Sequence, residues 1–220
     1  MASSNQIKSI WSWQKKLKRA VEILREEGIK SFWFKLLSEI GYRRVLWLKR
    51  SLEEPIPEIK SPLPVTVGLL KKTEVEEYMK FHSELQPSCI VSWLDAGHQC
   101  FVARFNEQMI STTWATTHQI SSSYLAREIP LRPGEVYLLY SFTSPDFRGL
   151  SVSPIIKVAM MQHFRDTGYR QMICWVLPEN NPSLKMLDKI GFRPFGIMGY
   201  IKIGPCRWHF YRTHESYDLL

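Results

Sequence analysis

Eight consecutive residues, Phe147-Arg148-Gly149-Leu150-Ser151-Val152-Ser153-Pro154, are of the types that hold a phosphate. An apolar run at 136–142 precedes them and reads as a strand. A second run at 155–164 follows and reads as a helix. The first N–H groups of a helix have no acceptor inside it and attract anions. Ser153 suits the capping position, and Pro154 suits the first helical position, where its missing N–H is not needed. Arg148 sets a cation at the mouth of the turn. Binding of a phosphorylated ligand is the chemistry expected here. A second polar group, Asn180-Asn181-Pro182-Ser183, follows the strand-like run 171–177. It would stand at that strand's carboxyl end, where open α/β sheets bind ligands.

Several elements must bring these residues together. A short strand is expected at 65–70. A helix follows from about Thr73, with Thr73-Glu74-Val75-Glu76 resembling a capping box. Residues 100–105 and 108–117 flank Asn106-Glu107 as a hairpin. Residues 118–134, with three consecutive serines and two prolines, read as a polar loop. Then come a strand from Glu135, the turn, a helix over about 154–167 stopped by Gly168, and a strand at 171–177. A short helix at 183–190 closed by Gly191 and two strands at about 193–203 and 207–213 complete the order. A strand–helix–strand unit requires a parallel pair with a right-handed crossover. The hairpins require antiparallel neighbours. The fold class is therefore α/β, a mixed sheet with helices on its faces.

The rest of the chain divides at a proline-rich joint, residues 55–64. Ahead of it, residues 1–54 read as a basic helical extension. Ile7, Ile10, Leu17, Val21 and Leu24 mark one helix over 6–27. Phe32, Trp33, Leu36, Leu37 and Ile40 mark a second over 29–50. After the joint, residues 65–214 form the main domain. Net charge is +8, and residues 1–50 carry all of the excess, with 12 Lys+Arg against 4 Asp+Glu and four of the eight tryptophans. A basic, Trp-bearing face fits a solvated packing helix, an anionic membrane surface or an acidic acyl-carrier protein. Nucleic acid is not expected, because no motif for it accompanies the charge. Cys89, Cys100, Cys174 and Cys206 form no C-x-x-C pair and cluster with no histidine at ligand spacing, so no metal site is expected. No secretory signal and no apolar run of bilayer length is legible, so a cytoplasmic protein is expected, peripheral at a membrane surface if the basic extension binds there.

Arg148-Gly149-Leu150-Ser151-Val152-Ser153 resembles the acyl-CoA pyrophosphate loop of the GCN5-related N-acetyltransferase (GNAT) superfamily, Q/R-x-x-G-x-G/A. Asn180, Ser183, Leu184, Leu187 and Gly191-Phe192 resemble that superfamily's next block, an Asn-led helix ending in Gly-Phe. The resemblance covers roughly residues 65–214. It departs from the pattern where Ser151 and Ser153 replace glycines and Gly149 alone remains. Leu187 stands where many members carry a tyrosine as general acid.

The resemblance implies a GNAT fold with a splayed parallel strand pair. It implies an N-acyltransferase that moves an acyl group, acetyl by default, from acetyl-CoA or a longer acyl-CoA to a small-molecule or peptide amine. Phe142 and Thr143 would pair with pantetheine through their backbone. Arg148, Gly149, Leu150, Ser151, Val152 and Ser153 would hold the pyrophosphate, with Asn180 and Ser183 nearby. Amide formation needs an acceptor for the amine's proton. Glu135, at the distance before the loop where histone acetyltransferases of the superfamily carry a Glu base, takes that role. Tyr140, on the same strand and nearer the thioester, is the second catalytic candidate. Two other readings are kept: a fatty acyltransferase whose donor docks on the N-terminal helices, and a degenerate GNAT fold serving as a binding module.

Overall fold

The computed structural model describes residues 41–82 and 86–213. The helix expected over 6–27, and residues 29–40 of the one expected over 29–50, lie outside the described residues. The next segment corrects an expectation. Residues 42–50 do not continue a helix, because Tyr42–Ser51 is a strand, β1. Its side chains alternate between two cores. Val45 and Trp47 pack on one side of the sheet, and Leu46 and Leu48 on the other. A strand buried on both faces carries apolar residues at nearly every position and so mimics a buried helix.

The strands that follow are β2 (Thr66–Leu69), β3 (Gln99–Phe105), β4 (Gln108–Thr116), β5 (Ile120–Ser122), β6 (Arg127–Ile129), β7 (Glu135–Thr143), β8 (Gln171–Val176), β9 (Arg193–Ile203) and β10 (Cys206–Thr213). The helices are α1 (Val75–Phe81), α2 (Pro87–Asp95), α3 (Val152–Asp166) and α4 (Asn181–Lys189). Eight strands form one sheet in the order β10-β9-β1-β8-β7-β4-β3-β2. The β7–β8 pair is parallel, and every other neighbouring pair is antiparallel. The mixed α/β fold is the one expected, but the sheet takes in β1 from ahead of the proline joint. Residues 118–134 also carry more order than a polar loop. They fold as the β5–β6 hairpin, because Ile120, Leu125 and Ile129 bury against the sheet.

Helix α3 covers one face. Val152, Ile156, Met160 and Phe164 recur at four-residue spacing, and all four are buried. They pack on Val136, Leu138, Met172 and Cys174 of β7 and β8. Two smaller cores cover the opposite face. The β5–β6 hairpin lies over Trp47, Tyr137, Ile173 and Phe195. The α1–α2 pair lies over Val102 and Trp114. Strand β7 passes between the two.

Candidate active site

The parallel pair is joined over a short register: Glu135 with Gln171, Val136 with Met172 and Tyr137 with Ile173. Beyond Tyr137, β7 leaves β8 while β8 stays paired with β1 as far as Val176. Burial follows the divergence. Residues Glu135 to Leu138 are buried, Leu139 and Tyr140 are half-buried, and Ser141 is exposed. Six residues of β7 thus face a gap, which is about 20 Å of strand edge at 3.3 Å per residue.

A bulge interrupts β7 beside this gap. Thr113 of β4 pairs with Ser141, and Ala115 pairs with Leu138. Leu139 and Tyr140 together therefore oppose the single residue Trp114. Bulges re-aim side chains and leave backbone groups outside the ladder. Here both Leu139 and Tyr140 lean toward the α1–α2 side. Ser141 returns to the α3 side.

The turn at the open end has the expected place and a shifted cap. Helix α3 begins at Val152, with Ser151 rather than Ser153 at the capping position. Pro154 is the third helical residue, still inside the turn whose N–H groups lack helical acceptors. Gly149 has φ +80° and Ser151 has φ +61°. The two serines therefore differ. Ser151 occupies a left-handed position that suits glycine, whereas Ser153 is helical and its Oγ accepts from Lys157 Nζ at 2.9 Å. No acceptor among the described residues meets the backbone N–H groups of Gly149, Leu150, Ser151, Val152 and Ser153. Arg148 is exposed, and its Nε donates to the Thr143 carbonyl at 3.2 Å, so its guanidinium borders the end of β7.

The second block is built for local reasons. Asn180 Oδ1 accepts from the Ser183 N–H at 3.2 Å and caps α4. Gly191 has φ +87°, and a Cβ there would stand 3.0 Å from the Arg50 guanidinium. That guanidinium is almost fully buried, donates to Glu54 and reaches the Pro55 carbonyl at 2.6 Å. Phe192 and Leu187 sit in the α3-side core. Leu187 therefore presents hydrocarbon where the resemblance expects a phenol.

The two catalytic candidates are separated. Glu135 lies at the paired end, two residues before the strands part. Its carboxylate accepts the Arg132 N–H at 2.9 Å. Burial pushes its pKa up, against the lowering pull of that hydrogen bond and of the Arg132 and Lys49 charges. Tyr140 stands at the bulge, its hydroxyl 2.7 Å from His82 Nε2. His82 is buried, and its ring meets Phe142 edge-on at 4.4 Å. Beside them Trp114 Nε1 donates to the Tyr78 hydroxyl at 2.9 Å, and burial pushes the Tyr78 pKa up to about 12.

Two residues here were not legible as site residues. His82 ends α1 in sequence and meets Tyr140 only in space. Lys157 lies in the middle of the apolar α3 stripe. Its position four residues after Ser153, within an otherwise apolar run, was the available signal.

Residues 68–192, more than half of the chain, match the Acetyltransferase (GNAT) family. The chain belongs to the GNAT acetyltransferase family. It is 22% identical over 178 residues to mycothiol acetyltransferase of Rhodococcus jostii, covering 72% of this chain and 56% of that protein. A mycothiol acetyltransferase of Thermomonospora curvata is 22% identical over 172 residues, covering 70% of this chain and 53% of its own length. The chain thus spans about half the length of these two relatives. Among solved structures, the GCN5-related glucosamine N-acetyltransferase region of a fungal multi-domain GH3 β-N-acetylglucosaminidase superposes with TM-score 0.56 at 17% identity. That match covers 83% of this chain and 23% of the other. A GNAT protein of Sphaerobacter thermophilus superposes with TM-score 0.53 at 11% identity, covering 76% and 54%. These two likenesses concern the fold. Among the described residues, no cluster of three or more His, Cys, Asp or Glu could hold a metal, and no helix is long and apolar enough to cross a membrane.

Proposed function

We propose that this GNAT chain is an N-acyltransferase that passes an acyl group, acetyl by default, from acyl-CoA to an amine by direct attack. The observation that carries the reading is the gap between β7 and β8, with a bulge at its inner end and an unsatisfied N–H cradle at its mouth. A long, thin ligand with an anionic end matches that shape. In this reading the pyrophosphate meets the N–H groups of residues 149–153 and the Arg148 guanidinium. Pantetheine lies along Phe142 and Thr143 and satisfies their gap-facing backbone groups. The thioester oxygen takes a backbone N–H at the bulge, as transition-state charge requires. Asn180 and Ser183 flank the slot chiefly by shaping α4.

The acceptor amine approaches from the α1–α2 face, where Tyr140, His82 and Phe142 converge. The Tyr140–His82 pair orients it. Glu135 takes the proton through water, and its raised pKa brings the carboxyl nearer to the working pH of a base. The acceptor class is a small-molecule or peptide amine. A carrier-protein or membrane dock would rest on residues 1–50, most of which lie outside the described residues.

Thermal unfolding with CoA, acetyl-CoA and longer acyl-CoAs tests the reading. A ligand at 100 times its Kd stabilises the folded state by about 2.7 kcal/mol. A stabilisation that depends on acyl length, with thiol release in the presence of an amine pool, is expected. A flat response to all of them would instead favour a GNAT-fold binding module.

A further inference from the structure

Lys157 is a buried ammonium at the floor of the gap. It projects from α3 toward the sheet and is 4% exposed. Its Nζ donates to Ser153 Oγ at 2.9 Å and lies 3.4 Å from Ser141 Oγ. The group acting on it electrostatically from β8 is the Cys174 thiol, one residue past the last residue paired with β7. From β7 it meets Ser141, and from its own helix Ser153. Among the described residues no carboxylate forms an ion pair with it. A lone ammonium in an apolar wall is costly unless something anionic completes it.

Position along β7 says which anion. If acyl-CoA fills the gap, its arm runs from the cradle at 149–153 inward past Thr143, Phe142 and Ser141. The thioester oxygen ends at the bulge, Leu139–Tyr140. Sulfur precedes the carbonyl on that path, so it comes to rest level with Ser141. Ser141 is an exposed residue, and its hydroxyl, shared with Thr113 Oγ1 at 3.1 Å, is the one that meets Lys157 Nζ. Leu187 offers no proton there, since it is buried hydrocarbon.

We propose that Lys157 is the catalytic acid that protonates the departing CoA sulfur. The proposal rests on the acyl-CoA reading above. The acceptor's neutral amine attacks the thioester carbonyl and the C–N bond forms. The C–S bond of the tetrahedral intermediate then breaks, and sulfur leaves with a proton from the Lys157 ammonium as the CoA thiol. The proton lost by the acceptor nitrogen passes to solvent on the opposite face, through Glu135 and water. Neutral Lys157 regains its proton from solvent at the Ser141 opening. The amine and ammonium forms are both accessible near neutral pH, because burial lowers this pKa to about 8. That value is close to the ordinary thiol value of ~8.5, which suits proton exchange between the two.

The test needs no acceptor. The thiolate of bound CoA is followed by its ultraviolet absorbance as pH is varied, with the desulfo-CoA complex subtracted to remove the protein's own thiols. In the wild-type complex the thiolate fraction at neutral pH is expected to exceed that of free CoA at least fivefold. Lys157→Met is expected to return it to the free-CoA level or below. Equal fractions in wild type and Lys157→Met overturn the assignment. If Lys157→Met does not fold, the wild-type complex decides, because an unshifted thiol there overturns the assignment too. Absence of CoA binding overturns the acyl-CoA reading and this role with it. Binding with an unshifted thiol overturns the role of Lys157 alone.

Discussion

The two faces of β7 differ in kind. On the α3 side the strand meets an ammonium and two hydroxyls, Lys157 with Ser141 and Ser153, set in hydrocarbon. On the α1–α2 side it meets an aromatic cluster, Tyr140, His82, Phe142 and Phe81. One bulge separates them, since it sends Leu139 and Tyr140 one way and Ser141 the other. In the proposed reaction a single strand gives the donor thioester a cationic wall and the acceptor amine an aromatic one. In that reaction the ammonium stands on the leaving-group face of the strand, opposite the face from which the nucleophile comes.

Removing the charge on the α3 side should have the largest effect on stability. The Lys157 pKa is depressed in the folded state, from the ordinary 10.5 to about 8. Below pH 8 the folded protein therefore bears a penalty that the unfolded chain does not. The Lys157 contribution to stability should rise as pH climbs from about 8 toward 10.5, where the unfolded lysine binds more protons, while the buried Cys100 and Cys174 thiols, whose pKa values burial raises, pull the other way above pH 9. Lys157→Met should stabilise the protein at pH 7 by on the order of 3 kcal/mol, and that advantage over wild type should shrink as pH rises from about 8 toward 10.5. Chemical denaturation at a series of pH values measures both. A variant less stable at pH 7 than wild type would break the comparison.

On the aromatic side, Tyr140→Phe leaves His82 Nε2 without the hydroxyl it meets. A loss of about 1–3 kcal/mol is expected. Turnover should fall roughly 100-fold while CoA affinity holds. A parallel loss of CoA affinity, read by calorimetry, would place Tyr140 on the donor side instead. At the mouth of the gap, Ser151→Gly relieves a left-handed serine and should add about 1 kcal/mol, with CoA binding equal or tighter. Weaker binding would mean that the Ser151 hydroxyl is itself a ligand. The smallest effect belongs to Asn180→Ala, which removes a cap and should cost about 1 kcal/mol or less with CoA affinity unchanged. A large drop in CoA affinity would show that Asn180 also contacts the ligand.

Much of the main domain could be read from sequence, because local signals and tertiary needs agree there. The turn at Gly149, the α3 stripe and the Gly191-Phe192 stop each combine a backbone requirement with a packing one. Strand β1 defeated the reading because Val45, Leu46, Trp47 and Leu48 serve two cores at once, and periodicity fails when both faces are buried. The β5–β6 hairpin hid behind its serines, since three apolar residues spaced over ten positions make no pattern. In the site, residues sharing a segment were legible. Those that meet across segments, such as His82 with Tyr140, were not, because their contact depends on where α1 lies against β7. The exchange of caps between Ser153 and Ser151 turned on a single positive φ, which composition does not encode.

The place of β1 in the sheet has a consequence for how the protein is made. Tyr42–Ser51 leaves the ribosome well before its partners, since β8 begins at Gln171 and β9 at Arg193. Until those strands emerge, a ten-residue segment with apolar side chains on both faces has neither neighbour. Pairings across more than a hundred residues close late and slowly, and unpaired strands invite association with other chains. The half of the sheet that holds β8 against the gap thus assembles late, so the slot can form only once residues through Val176 have been synthesised.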